Sequence, residues 1–149
     1  MKTPQNMANK YKNNPILLVE DNPLDIDLTL RAFKKRNLTN PIQVVRDGEE
    51  ALAFIEKWDA GEDIPVVILL DLNMPKLDGL EVLKVIKKHP KYASIPVVVL
   101  TSSSDNNDIE KAYKLGANSY IVKPVNFDKF VDVASHIELY WNALNEPLI

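Results

Sequence analysis

Four charged side chains stand at the ends of three strand-like apolar runs. Glu20 and Asp21 follow Ile16-Leu17-Leu18-Val19, and Asp71 follows Val66-Val67-Ile68-Leu69-Leu70. Lys123 closes Tyr120-Ile121-Val122 and is followed at once by Pro124. If these runs are parallel neighbours, their carboxyl ends meet at one edge of the sheet, where open α/β sheets bind ligands. Like charges ~4 Å apart repel by about 4 kcal/mol per pair at an effective dielectric near 20. One lysine does not balance three carboxylates, so the cluster asks for a divalent metal.

The elements that would position these groups alternate along the chain. Strand-like segments are Ile16 to Val19, Ile42 to Val45, Val66 to Leu70, Val97 to Leu100 and Tyr120 to Val122. Continuous apolar runs of this length suit parallel strands covered on both faces. Asn22 with Pro23 opens a first helix whose inward face carries Ile26, Leu30 and Phe33. Glu49 to Trp58 forms a second, with Leu52 and Ile55 inward, and Leu80 to Lys87 a third, with Leu80, Leu83 and Ile86 inward. Asp105 to Leu115 forms the fourth, ended by Gly116. Asn126 caps the fifth, where Phe130, Val133, Ile137 and Trp141 make an apolar stripe. Five βα units imply a three-layer α/β fold, a five-stranded parallel sheet with helices on both faces.

The composition narrows the function. The chain has 149 residues, 46% apolar and 26% charged, which fits one compact domain. A net charge of −3 argues against a nucleic-acid surface, and no DNA partner is expected. With no cysteine, disulfides, thiolate metal sites and thiol catalysis are excluded. No apolar run approaches the ~20 residues that span a bilayer, and the start of the chain does not read as a signal peptide. A cytoplasmic protein without a membrane partner is expected. Residues 1–13, with Lys2, Lys10 and Lys12, read as a flexible segment, 14–145 as the folded domain and 146–149 as a tail.

Four segments together are specific. Leu17-Leu18-Val19-Glu20-Asp21-Asn22, Leu69-Leu70-Asp71-Leu72-Asn73-Met74-Pro75-Lys76-Leu77-Asp78-Gly79, Val98-Val99-Leu100-Thr101 and Gly116-Ala117-Asn118-Ser119-Tyr120-Ile121-Val122-Lys123-Pro124 come in this order, each at a strand end. The series resembles that of two-component response-regulator receiver domains, over about Asn14 to Asn142. The acidic pair, the Asn22-Pro23 after it with Asp25 two residues on, and the Tyr140-Trp141 ending are similar to stand-alone regulators of phytochrome-type sensor kinases.

The resemblance implies a (βα)5 flavodoxin-like fold with strand order 2-1-3-4-5. It implies that Asp71 accepts a phosphoryl group from a sensor histidine kinase. Glu20, Asp21, Asp71 and the backbone carbonyl of Asn73 would hold Mg²⁺, an ion that prefers oxygen ligands and keeps several waters. Lys123 and Thr101 would bond the phosphoryl oxygens, and a cis Lys123–Pro124 peptide would aim the lysine. Tyr120 and Thr101 would switch together, presenting the fourth helix, fifth strand and fifth helix to a downstream protein or phosphotransfer partner. No covalently linked output domain is expected. Autodephosphorylation would be slow, because neither Asn73 nor Ser103 offers a base.

Each piece also has a plainer reading. An acidic pair after a strand caps helices, and Asp78-Gly79 after Met74-Pro75 makes a turn. Tyr120 suits a core as well as a switch, and Trp58 reads as structural. Tyr140 and Trp141 either end the core stripe or form a partner surface, including a homodimer through the C-terminal helix. His89 and His136 lack metal-ligand spacing. Rival functions remain as well. A flavin carrier with this strand order would need a phosphate loop after the first strand, and Glu20 to Asp25 is acidic and lacks glycine. An aspartyl-nucleophile phosphohydrolase normally has a general acid two residues after the nucleophile, where Asn73 stands. A receiver that only binds partners would not need the full set of charged groups.

Overall fold

The computed structural model describes residues 13–145, with side chains described as far as Tyr140. Lys2, Lys10, Lys12, the Trp141 side chain and the tail from Glu146 lie outside the described residues. Five strands, β1 (Ile16–Val19), β2 (Ile42–Val45), β3 (Val67–Leu70), β4 (Val97–Thr101) and β5 (Ser119–Val122), form one sheet. All pairs are parallel, in the order β2-β1-β3-β4-β5. The helices are α1 (Pro23–Lys35), α2 (Gly48–Asp59), α3 (Gly79–Lys88), α4 (Asn106–Lys114) and α5 (Phe127–Asn145).

Every residue of β1 and β3 is buried, which is why these runs carry no polar alternation. Their side chains still divide between two faces. Leu17, Val19, Ile68, Leu70, Val97 and Val99 pack with Ala51, Phe54, Trp58, Val82, Leu83 and Ile86 of α2 and α3. Ile16, Leu18, Val67, Leu69, Val98 and Leu100 pack with Ile26, Phe33, Phe130, Val133 and Ile137 of α1 and α5. Each fully buried Leu, Ile or Phe stabilises the fold by roughly 1.5–3 kcal/mol relative to exposure.

Asx caps start the helices at the carboxyl edge of the sheet. Asn22 accepts from the N–H groups of Leu24 and Asp25. Asp47, Asp78 and Asp105 cap α2, α3 and α4, and Asn126 Oδ1 accepts from Lys129 N–H at 3.0 Å ahead of α5. Gly116 follows α4 with φ of 106°, the positive angle expected of a residue just past a helix end. Two inward faces differ from expectation. The buried positions of α2 are Gly48, Ala51, Phe54 and Trp58, while Leu52 and Ile55 are only half-buried at the edge of the same cluster. In α3, Val82 joins Leu83 and Ile86 inside, and Leu80 is half-buried. Docking on the sheet set the α2 face one position from the expected one, while in α3 the expected Leu83 and Ile86 are inside.

Candidate functional site

The parallel register gathers the charged groups. Val19 lies opposite both Val45 and Leu70, so the residues that follow β1 and β3, Glu20 and Asp71, emerge side by side. Backbone bonds carry the pairing one residue past the strands: Glu20 N–H donates to Val45 O at 2.9 Å and Asp71 N–H to Val19 O at 3.0 Å. On the other flank Thr101 pairs with Val122, and Lys123 N–H donates to Thr101 O at 2.7 Å. Glu20, Asp71 and Thr101 are buried, with 2%, 5% and 0% of their surface exposed.

Lys123 joins the cluster from β5. Its Nζ bonds Glu20 Oε1, Asp25 Oδ2 at 2.7 Å and Asp71 Oδ2 at 3.0 Å, with its side chain 9% exposed. Burial opposes the ammonium, but the bonds to Asp25, Glu20 and Asp71 outweigh it and hold the lysine pKa above its ordinary value. At Asp71, burial is likewise outweighed by hydrogen bonds from Lys123 and the Thr101 hydroxyl, so this carboxyl titrates below the usual range and is ionised. Asn73 N–H adds a bond to Asp71 Oδ1 at 3.2 Å. Burial dominates at Glu20: against the bond from Lys123, and reinforced by the Asp71 charge, it pushes that carboxyl up to about 7.

Glu20, Asp21 and Asp71 each offer an oxygen within 4.8 Å of the others. These are hard donors of the kind Mg²⁺, Mn²⁺ and Ca²⁺ take, with no nitrogen or sulfur among them. With Asp25, four carboxylates face one ammonium, so the residues present fit a divalent cation. The raised Glu20 is the mark of a buried charge without enough counter-charge.

Thr101 and Tyr120, expected to switch together, lie beside this cluster. Thr101 Oγ1 also accepts a long 3.5 Å bond from Ser103 N–H. Ser103 Oγ donates to Asp108 Oδ2 at 2.7 Å and is thereby committed to α4. Tyr120 is half-buried, its hydroxyl donating to Ser103 O at 2.9 Å and its N–H to the Tyr113 hydroxyl at 3.1 Å. Asn73 is in the loop after Asp71. The structure thus brings together Glu20, Asp21, Asp71, Thr101 and Lys123, with Asn73 and Tyr120 adjoining.

One expectation is corrected. The Lys123–Pro124 peptide is trans, as are all peptide bonds among the described residues. Trans is favoured before proline by ~0.5–1 kcal/mol. The lysine needs no cis bond to be aimed, since its N–H bond to Thr101 O continues the β4–β5 ladder and its three carboxylate partners fix the head.

Two residues noted in the sequence were given no role at the site there. Asp25 binds Lys123, yet at the third position of α1 it resembles any acidic first-turn residue. Gly79 is needed for close approach: a Cβ there would sit 2.3 Å from Asp71 O and 2.6 Å from Leu72 Cα. Its place in the Asp78-Gly79 pair was the available signal, although a turn explains that pair equally well.

Residues 16–135 match the response regulator receiver domain family. The chain is similar to the probable methanogenesis regulatory protein FilR2 of Methanothrix harundinacea, 41% identical over 131 residues, covering 87% of this chain and 84% of that one. It is also similar to response regulator Rcp1 of Synechocystis, 39% identical over 135 residues, covering 87% and 92%. The Mn²⁺-bound form of Rcp1 superposes with a TM-score of 0.77 at 37% identity, covering 91% of this chain and 98% of that one. The phosphorylated cyanobacterial phytochrome response regulator RcpA superposes with a TM-score of 0.80 at 41% identity, covering 88% and 95%. Four strand-end motifs, a receiver strand order and a gathered acidic site agree with these matches: the chain belongs to the response regulator receiver domain family.

Proposed function

We propose that Asp71 accepts a phosphoryl group from the phosphohistidine of a sensor histidine kinase, in a Mg²⁺-dependent reaction. The single observation that carries this reading is the state of Asp71, a buried carboxylate kept ionised with Lys123 Nζ 3.0 Å from Oδ2. A carboxylate oxygen forms the new bond to phosphorus, while the bond from phosphorus to the histidine nitrogen breaks and leaves its electron pair on that nitrogen. Glu20, Asp21, Asp71 and the Asn73 carbonyl would hold the cation, which neutralises charge on the transferring group. The Mn²⁺-bound form of Rcp1 supports a divalent ion in such a site. Lys123 donates to a phosphoryl oxygen as a compact, strongly hydrated ammonium, and the Thr101 hydroxyl turns from Asp71 to another.

Signalling follows from that turn. Thr101 moving inward vacates space that the Tyr120 ring fills, its hydroxyl leaving Ser103 O, and the altered α4, β5 and α5 face engages a protein partner or a phosphorelay step. Hydrolysis is slow because Ser103 Oγ is engaged with Asp108 and Asn73 is no base. Resemblance to RcpA favours a phytochrome-type kinase as the partner. No helix among the described residues is long and apolar enough to cross a membrane, which is compatible with a cytoplasmic place of action. A homodimer through the C-terminal helix is part of the same proposal, and its check is solution mass by light scattering.

The central test is intact mass after incubation with acetyl phosphate, with and without Mg²⁺, on the wild type and Asp71→Asn. The expected result is a gain of one phosphoryl group that needs the metal and Asp71. A gain that survives in the variant would move the acceptor elsewhere. No gain from acetyl phosphate or from a phosphorylated sensor kinase would end the proposal.

A further inference from the structure

Asp25 stands outside the four motif segments, yet its carboxylate makes a 2.7 Å bond to the Lys123 ammonium, 98 residues away in sequence. Its backbone is fixed from both sides. The N–H donates to the Asn22 cap at 3.2 Å, and the carbonyl accepts from Thr29 Oγ1 at 2.7 Å. The side chain is 25% exposed, between the 9% of Lys123 and open solvent, so Asp25 forms the outer wall of the lysine's cage. An acidic residue in a first helical turn is favourable to the helix dipole anywhere on its circumference. Asp27 of the same helix illustrates that ordinary case, with its side chain half exposed and paired with Arg31 at 3.0 Å.

The three partners of Lys123 have different fates in the reaction. Glu20 and Asp71 belong to the set of carboxylates that converge for a cation, and Asp25 does not. When a cation draws on Glu20 and Asp71, it weakens their hold on the ammonium and also repels it. Asp71 then gives up carboxylate charge to a phosphoryl ester. Asp25 alone keeps an unshared negative charge on the lysine throughout.

We propose that Asp25 is a positioning residue for phosphoryl transfer, anchoring the Lys123 ammonium at the rim of the site while Glu20 and Asp71 turn to the metal and the phosphoryl group. This inference rests on the reading of Asp71 as the acceptor. Asp25 touches neither phosphorus nor the leaving group, and it acts through Lys123 alone.

The test uses the full chain, with acetyl phosphate as donor and Mg²⁺ as metal. Initial rates across donor concentration give the saturating rate and the half-saturating concentration. The Lys123 ammonium is followed by proton–nitrogen NMR with and without Mg²⁺, assigned by its loss in Lys123→Met. Asp25→Asn is expected to lower the saturating rate about tenfold or more, the scale on which a misplaced group is felt. Its half-saturating concentration should change little. The ammonium signal should persist on Mg²⁺ addition in wild type and vanish in Asp25→Asn. Asp25→Glu should restore both, and Asp27→Asn, which removes the same charge from the outer face of α1, should alter neither.

An Asp25→Asn protein with a wild-type rate would overturn the inference, as would a slowed variant whose ammonium signal survives Mg²⁺. A wild type that takes up no phosphoryl group would instead defeat the reading of Asp71. The signal alone would then decide for Asp25, its loss in the variant supporting the anchor and its survival refuting it.

Discussion

Two lysines, one at each end of the sheet, are tied down by three oxygens apiece. Lys123, at the carboxyl edge, meets carboxylates of Glu20, Asp25 and Asp71. Lys87 of α3, at the amino edge, donates to Ala93 O at 3.1 Å, Ile95 O at 2.7 Å and Asn118 Oδ1 at 2.9 Å. Asn118 Oδ1 also accepts from Val97 N–H, so Lys87 joins α3, the segment before β4 and the start of β5. The contrast is in charge. Carbonyl oxygens do not offset the burial of Lys87, and its pKa falls below the ordinary value; carboxylates hold that of Lys123 above it. Neutral partners make a clamp that has no reason to change. Charged partners in excess make a site suited to a further cation.

Lys123→Met separates the two roles most sharply. Removing a positioned donor to developing phosphoryl charge typically costs about a hundredfold or more in rate. Phosphorylation of this variant by acetyl phosphate should slow by at least that factor. Its lost stability should return when Mg²⁺ is added, because the cation replaces the missing positive charge. A variant that is unstable even with Mg²⁺ yet phosphorylates normally would reverse the assignment.

Lys87→Met is the opposite case. Three acceptors lose a donor in a partly buried place, which costs about 1–3 kcal/mol. Urea denaturation should register that loss equally with and without Mg²⁺, while the phosphorylation rate stays within about twofold. Recovery of stability with Mg²⁺ would mean that Lys87 communicates with the site.

The contrast also bears on what the sequence disclosed. β1 and β3 are legible because strands buried on both faces must be apolar throughout, and this also locates Glu20 and Asp71 at their ends. Asn22 and Asn126 are legible because caps are local chemistry. The role of Asp25 is not, since its partner, the residue after β5, lies 98 residues away in sequence. The Lys87–Asn118 tie, 31 residues apart, hides for the same reason. The cis proline came from resemblance alone, and here the trans ladder already aims Lys123. Spacing located Leu83 and Ile86 on the inward face of α3, but in α2 size misled: Ala51 is buried where Leu52 is not.

Proton linkage offers a milder way to distinguish the two ends. Glu20 titrates near 4.5 ordinarily and near 7 in the folded protein, where burial favours its neutral form. Between these values the folded state holds a proton that the unfolded state has released. This contribution is fully present below about 4.5 and is lost as pH rises through about 7. Metal-free protein in EDTA should therefore lose stability to urea between pH 5.5 and 8, and Glu20→Gln should flatten that slope. Lys87→Met should leave it intact. A slope unchanged in Glu20→Gln would place the responsible proton elsewhere.

The smallest expected effect tests how rigid the Lys87 clamp is. Gly116 has φ of 106°, where an L-residue is strained by roughly 1–2 kcal/mol. A Cβ there would also lie 3.0 Å from Lys87 Cγ and 3.3 Å from its Cβ. Lys87 cannot easily retreat, because its ammonium is held by three acceptors at the far end of the stem. Gly116→Ala should thus cost the backbone strain plus a contribution from the crowded stem, and a double-mutant cycle separates them. In a Lys87→Met background the side chain is no longer pinned and can swing aside, so the cost of Gly116→Ala should shrink toward the backbone part alone. Equal costs in the two backgrounds would show that the stem yields without resistance, and the clamp would then be the ammonium's three bonds and nothing more.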